Sequence, residues 1–288
     1  MIYKTAILLH ILDWDLNSTD VDVGFGIQFG KFEDSNVERL YLQLCREQYI
    51  DQGDPYNYKV YFAHANETSG EYDGPYSETS QICNLLTLAL GAPLGMCREI
   101  SSKDDFKTPH LSQIIYKYNH FQEHLNWDAE LVVNAGTVEI LKAIINNFKK
   151  LNPARSLIFN AVSNFFYAWR SNYDEQACIY LAIALEALLS PNSNTELSHR
   201  IAHNACRFLG NDRKEREEIY KITKAFYNLR SKLIHGSITN YDQIMEISPK
   251  IYAIVNKILV KILLDGQLIE TFDDTKKRGQ FFNRWLFE

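Results

Sequence analysis

The sequence predicts a two-part fold, an α+β domain over residues 1–152 followed by an all-α helical bundle over residues 153–288. A chain of 288 residues is long enough for two domains. Short apolar runs bounded by glycines dominate the first part, whereas long stretches with apolar residues at three- and four-residue steps dominate the second. Short connections between those stretches are typical of antiparallel neighbours in a bundle.

The first part is predicted to mix strands and helices, and we expect it to be a sensor or regulatory domain. Apolar runs predict strands over residues 6–12, 21–29 and 58–63. Helical spacing predicts helices over residues 36–49 and 77–90, the second ended by Gly91. We expect a loop over residues 70–77, and short strands and loops over residues 93–127.

The second part is predicted to be helical almost throughout. Pro153 is expected at a first helical position, where its missing N–H costs nothing. Ser193 and Glu196 fit a capping box at the start of a later helix. Gly210 and Gly236 are expected to end helices, and a glycine at position 236 tolerates the left-handed backbone that ends helices. The predicted helices cover residues 131–149, 153–170, 173–189, 193–210, 211–236 and 242–264, and the aromatic segment 281–287 is expected to dock on the bundle or to contact a partner.

The boundary is placed near Asn152, to within about 20 residues, because the helix predicted over 131–149 could belong to either part.

Charge argues against a protein that coats nucleic acid without sequence preference. The net charge is −6 and the pI is near 5.8, whereas such proteins are usually basic. Residues 198–235 nevertheless hold nine Lys or Arg against four acids. This local excess indicates either a nucleic-acid surface or an ordinary solvated helix face.

Cysteine usage and hydropathy indicate a cytoplasmic protein without a membrane partner. The five cysteines include no CxxC pair, which argues against a disulfide framework and a thiolate zinc site. We expect the N-terminus to form a strand rather than a signal peptide, and no apolar run reaches the length of a bilayer. No phosphate-binding loop or dinucleotide fingerprint occurs, so no cofactor is expected.

The most informative segment is YNLRSKLIHG, from Tyr227 to Gly236, at the end of a helical pattern. Arg230 can hold a phosphate charge, and His235 can exchange a proton near neutral pH. Five helical residues separate side chains by about 140° and about 7.5 Å of rise. One helix is therefore a poor complete site, and two copies facing across a two-fold axis would be better. Alternatively, both residues only complement the negative end of the helix dipole.

This segment resembles the Arg-x4-6-His signature of the HEPN superfamily, and more narrowly of its Apea-like group. Two upstream segments resemble the helices that precede the signature in that group, namely LAIALEALL (181–189) and ELSHRIAH (196–203). The resemblance covers residues 153–264, less than half of the chain. It implies a compact helical bundle that often dimerises, so that two motifs form one composite site.

The resemblance also implies a metal-independent ribonuclease that leaves a 2′,3′-cyclic phosphate and a 5′-hydroxyl. His235 would exchange a proton with the 2′-OH or the leaving 5′-oxygen, and Arg230 would stabilise the transition-state charge. DNA should be inert because it lacks the nucleophile. We expect RNA as substrate, a homodimer, no metal, and a role in bacterial defence or as a toxin with a regulatory partner or antitoxin.

One departure from the family pattern keeps other functions open. Ser231 follows the arginine, where active members often carry Asn, Asp or His. The alternative function is a non-catalytic HEPN module that binds nucleotide or RNA or supports dimerisation. A third is a scaffold in which the first part does the recognising.

Several neighbours of the motif are candidate auxiliary residues. Glu186 lies in an apolar helix, where a buried carboxylate needs a partner; Arg230 or Arg200 would serve, and an ordinary core salt bridge is the alternative. His199 and His203 are spaced as a metal pair, but no third ligand is apparent, so a helix face is expected. The residues expected to contact RNA or a partner chain are Tyr227, Asn228, Ser231, Lys232 and Arg200.

Overall fold

The computed structural model describes residues 3–10, 12–18, 20–24, 27–31, 35–39, 58–66, 85–91, 98–102, 131–171, 173–190, 196–236 and 241–284. Contacts between Cα atoms divide the chain into two compact units. Among the described residues, the first unit ends at Asn146 and the second begins at Asn147.

The first unit contains a five-stranded sheet in which all neighbouring strands are antiparallel. Its order is β3-β4-β5-β1-β6, and β2 pairs separately with β7 in parallel. Val23, Ile27 and Phe29 of the β3–β4 pair are buried. The strands are β1 (Tyr3–His10), β2 (Leu12–Trp14), β3 (Asp20–Gly24), β4 (Ile27–Lys31), β5 (Tyr58–Asn66), β6 (Arg98–Ser102) and β7 (Leu131–Val133).

Two predictions for the first unit are wrong in detail. The strand predicted over residues 21–29 is two strands, because Gly24 has φ 94° and the chain reverses between β3 and β4. The helix predicted over residues 131–149 begins only at Ala135: residues 131–133 form β7, and Asn134 Oδ1 accepts the N–H of Thr137 as a helix cap.

The other expectations for this unit are partly covered by the described residues. Residues 36–39 and 85–90 are helical, and Gly91 has φ 69° as expected at a helix end. The loop predicted over residues 70–77 and the rest of both helices lie outside the described residues.

The helical bundle predicted for the second part is confirmed. Helix α1 (Ala135–Phe148) spans the division between the units. The helices that follow are α2 (Leu157–Arg170), α3 (Asp174–Leu189), α4 (Leu197–Leu209), α5 (Arg213–Ile234), α6 (Tyr241–Leu263), α7 (Gly266–Phe272) and α8 (Thr275–Arg284).

Helix α6 lies at the centre of this bundle. It contacts α2, α3, α4, α5 and α7, and its buried side chains run from Ile244 to Leu263. Tyr252 stacks on Phe165 of α2 with ring centroids 4.4 Å apart. Its exposed residues recur at three- and four-residue steps, at positions 246, 250, 253, 257 and 261, so α6 is amphipathic, with one stripe open to solvent and most of the remaining surface buried.

Two helix starts differ from prediction, the first because another residue caps the helix. Pro153 lies in a turn, and α2 begins after Ser156, whose hydroxyl accepts the N–H of Phe159 at 3.0 Å. Serine satisfies an orphan amide, which proline at that position cannot do. Glu196 immediately precedes α4 with φ 54° and makes no side-chain cap bond, so it is not the inner residue of a capping box. Ser193 lies outside the described residues.

Helices α4 and α5 form an antiparallel hairpin with a very tight turn. Gly210 ends α4, and a Cβ at this position would lie 2.5 Å from Arg216 Cγ and 2.8 Å from the carbonyl oxygen of Cys206. Only glycine permits that approach. Asp212 then caps α5 by accepting the N–H of Glu215 at 2.8 Å. These two residues fix the position of the motif helix α5 relative to α4.

The remaining expectations concern cysteines, the aromatic segment and membranes. Cys178 is buried, and desolvation raises the pKa of its thiol to about 11. Phe281 and Phe282 of α8 pack on Phe272, while residues 285–287 of the aromatic segment lie outside the described residues. Within the described ranges, none of the helices is long and apolar enough to cross a bilayer.

Candidate functional site

Helix α5 carries the motif. The three- and four-residue steps of its apolar residues predict a buried stripe at positions 219, 222, 225, 226, 229 and 233. Positions 219, 226 and 229 are buried, but positions 222, 225 and 233 are partly exposed, and Thr223 and Tyr227 are buried instead. The Thr223 hydroxyl donates to the carbonyl oxygen of Ile219 at 2.8 Å, which satisfies it inside the bundle. The three- and four-residue spacing of positions 219, 223, 226 and 230 could have predicted from the sequence that these residues share one face of the helix.

Arg230 forms an ion pair with Glu186 of α3. The distance from Arg230 Nη2 to Glu186 Oε1 is 3.2 Å, and the two side chains are 30% and 27% exposed. Of the two arginines that could partner this carboxylate, the fold therefore selects Arg230. The pair joins the motif helix to α3 and holds the guanidinium at the edge of the bundle.

Tyr227 supports the same carboxylate from inside the bundle. Its hydroxyl donates to Glu186 Oε1 at 3.5 Å, and the residue is 4% exposed. Burial raises the pKa of the Tyr227 phenol well above its usual range, and the charge of Glu186 raises it further. The phenol thus stays a neutral donor. A contact of Tyr227 with a base or a partner chain was expected, but its buried position makes it a support for Glu186 and Arg230.

The Arg230 guanidinium is only partly satisfied. Its Nε is buried and has no hydrogen-bond partner among the described residues. An unpaired buried donor costs roughly 1–3 kcal/mol. The ion pair with Glu186 accounts for one edge of the guanidinium, so Arg230 retains donor capacity for a further acceptor.

Helix α3 is itself fixed one residue beyond Glu186. The buried Arg278 of α8 donates through Nη1 to the carbonyl oxygen of Ala187. This bond gives the Ala187 carbonyl a donor that the helix does not supply, because the carbonyl groups in the last turn of a helix have no N–H partner within it. Sequence reasoning missed Arg278, because no local pattern links it to a helix 91 residues earlier.

His235 lies at the end of α5, on a different face from Arg230. Its N–H donates to the carbonyl oxygen of Ser231 at 3.1 Å, so the helix does not unwind before it. Gly236 follows with φ 67°, as expected for a helix end. The separation of about 140° therefore persists, and one chain does not combine the two side chains at one point.

His235 shares its face with three other polar side chains. Asn228, Ser231, Lys232 and His235 are all exposed, and their spacing of three and four residues places them along one side of α5. We call these four residues the polar stripe. Ile234, four residues after Arg230, is also exposed.

Arg200 is not part of this group. It lies on α4 and lines a cleft together with His199 and His203. The described parts of the chain contain no cluster of three or more His, Cys, Asp or Glu side chains placed to hold a metal ion.

Replacing Glu186 with glutamine is expected to lower the free energy of unfolding by about 1–3 kcal/mol, because a half-buried guanidinium loses its charged partner. Urea unfolding monitored by circular dichroism measures this. The matched control is Glu217→Gln, which breaks the exposed Arg213–Glu217 pair of α5, the helix that carries Arg230. This change should lower the free energy of unfolding by less than about 1 kcal/mol. Equal effects for the two variants would show that Glu186 does not anchor Arg230.

Comparison with protein-family models, with curated proteins and with solved structures finds no match to this chain.

Proposed function

We propose that this chain is a metal-independent endoribonuclease of the HEPN type, which cleaves RNA by 2′-OH attack at a site shared by two chains. The observation that carries the proposal is the arrangement at the end of α5. An exposed polar stripe there ends in His235, and on another face of the same helix Glu186 holds the Arg230 guanidinium at the bundle edge.

The chemistry needs a proton acceptor, a proton donor and positive charge. The 2′-oxygen attacks phosphorus and loses its proton to one imidazole, while the bond from phosphorus to the 5′-oxygen breaks. That oxygen takes a proton from a second imidazole, leaving a 2′,3′-cyclic phosphate and a 5′-hydroxyl. Arg230 and Lys232 offset the charge that develops on the phosphoryl oxygens.

Two copies of α5 supply these groups better than one. A single chain offers one His235, which is displaced from Arg230 by about 140° around the helix. A two-fold axis near the end of α5 would bring two imidazoles and two guanidinium groups to one phosphodiester. The exposed Ile234 would then give an apolar contact between copies.

In this proposal residues 1–152 regulate the site. The activity suits a cytoplasmic effector of bacterial defence, or a toxin held by an antitoxin.

The test is cleavage of single-stranded RNA by the purified chain in the presence of EDTA. We expect fragments ending in 2′,3′-cyclic phosphate, which mass spectrometry identifies. The matched substrate carries a single 2′-deoxy sugar at the cleaved position and should stay intact, because it lacks the nucleophile. Cleavage that needs a divalent ion, or that proceeds at the 2′-deoxy position, contradicts the proposal.

One observation favours the non-catalytic alternative. The charge of Arg230 is already paired with Glu186, and Ser231 occupies a position where an amide, carboxylate or imidazole would help more. In that case RNA binds, as fluorescence anisotropy would show, but full-length substrate is recovered after long incubation.

A further inference from the structure

A second group of polar side chains lies away from the motif, in a cleft between α4 and α8. The cleft encloses about 360 Å³, in the lower part of the range of small-molecule sites. Helix α4 contributes His199, Arg200, His203 and Asn204, and the end of α8 contributes Phe282 and Asn283.

Two polar side chains of the cleft are held in place by hydrogen bonds to residues outside it. His199 Nδ1 and the hydroxyl of Tyr220 are 2.8 Å apart, which fixes the imidazole against α5. Asn204 is buried and donates to the carbonyl oxygen of Leu189 at 2.9 Å. Side chains fixed in this way lose little entropy when a ligand binds.

The donors of the cleft suit a phosphate group. Arg200 presents a fork of N–H donors, and the two imidazoles and the Asn283 amide add further donors around the same space. A phosphate monoester offers three strong acceptor oxygens and close to two negative charges. Lys224 adds positive charge nearby, since its Nζ lies 2.9 Å from the hydroxyl of Ser198 at the start of α4.

The remaining lining suits the organic part of a nucleotide. A phosphate alone would occupy only part of 360 Å³. Phe282 gives the cleft an apolar wall. Glu196 also lines the cleft, and its negative charge disfavours the binding of a phosphate ion alone. The same carboxylate can accept hydrogen bonds from ribose hydroxyls, as acidic residues do in dinucleotide sites.

We propose that this cleft binds the phosphate monoester of a nucleotide, with Arg200 as the principal phosphate ligand and Glu196 as the acceptor for the sugar. The nucleotide is either free or the phosphorylated 5′ end of an RNA strand. Neither Arg230 nor His235 lines the cleft, so the proposal does not depend on RNA cleavage.

The test is isothermal titration calorimetry with AMP, adenosine, inorganic phosphate and a tetranucleotide with and without a 5′-phosphate. The tetranucleotides carry 2′-deoxy sugars at their first three positions, so that no 2′-OH lies next to a 3′-phosphodiester and they cannot be cleaved. We expect AMP or the 5′-phosphorylated strand to bind, adenosine and the unphosphorylated strand to bind at least about tenfold more weakly, and Arg200→Gln to lose a similar factor. The tighter of the two phosphorylated probes identifies the source.

The matched control is Arg213→Gln, which removes an exposed arginine of α5 outside the cleft and should bind as the unmodified chain does. Thermal unfolding of each variant excludes a folding defect, and His199→Gln provides a second variant of the cleft. Arg230→Ala should retain binding, which separates this site from the motif. The proposal is overturned if AMP binds no more tightly than adenosine or than inorganic phosphate. It is also overturned if the Arg200→Gln chain binds AMP as tightly as the unmodified chain does. The absence of binding by every probe overturns it as well.

Discussion

RNA cleavage is expected to fall by about 10²–10⁴ when His235 is replaced by alanine, because the reaction loses its proton-transfer group. The fold should survive, since His235 is exposed at a helix end. Arg230→Ala should lower the rate by about 10²–10³, through loss of charge stabilisation in the transition state. Single-turnover cleavage of a fluorescent RNA measures both. The control is Arg213→Ala, an exposed arginine at the other end of the same helix.

Mixing experiments with the same variant test whether two chains share the site. An excess of the His235→Ala chain should suppress cleavage by the unmodified chain, because mixed dimers hold one imidazole instead of two. If the rate of the unmodified chain is insensitive to the excess, each chain acts alone. If cleavage survives in both single variants, Arg230 and His235 are not the catalytic residues.

Phe226→Ala is expected to lower the free energy of unfolding by about 3–5 kcal/mol. The ring is fully buried and packs edge-on against Tyr227, with centroids 5.8 Å apart. Such a loss is a large share of the roughly 5–15 kcal/mol that stabilises a typical domain. It should also loosen Tyr227 and therefore Glu186. Denaturant unfolding gives the free energy directly.

Two controls bracket that result. Phe226→Leu keeps most of the buried volume and should cost clearly less than the alanine variant. Ile183→Ala changes an exposed residue of α3 and should stay within about 0.5 kcal/mol. A loss below about 1 kcal/mol for Phe226→Ala would mean that α5 is not packed as described.

Features set by neighbouring residues could be predicted from the sequence. Gly210 and Gly236 end helices as expected, because capping depends on a few adjacent residues. The predicted start of α1 was wrong, because residues 131–133 form a strand that pairs with β2, more than a hundred residues earlier in the chain. No local period reports such a partner.

The candidate site shows the same division. Arg230 and His235 were found from their spacing, and Glu186 from its apolar surroundings. The choice of Arg230 over Arg200 as the partner of Glu186 depended on how α3, α4 and α5 pack. The role of Tyr227 could not be predicted without knowing that its side chain is buried. The cleft could not be predicted either, because no feature of the sequence shows that α8 packs beside α4.

The bond from Arg278 to the carbonyl oxygen of Ala187 has a consequence for how the protein is made. On the ribosome, Ala187 emerges 91 residues before its donor. At about 5–20 residues per second, that interval lasts roughly 5–18 s. Throughout it, the end of α3 next to Glu186 lacks its permanent donor, and any hydrogen bond there is temporary. The segment that carries Glu186 is therefore completed late in synthesis, well after its own residues have been translated.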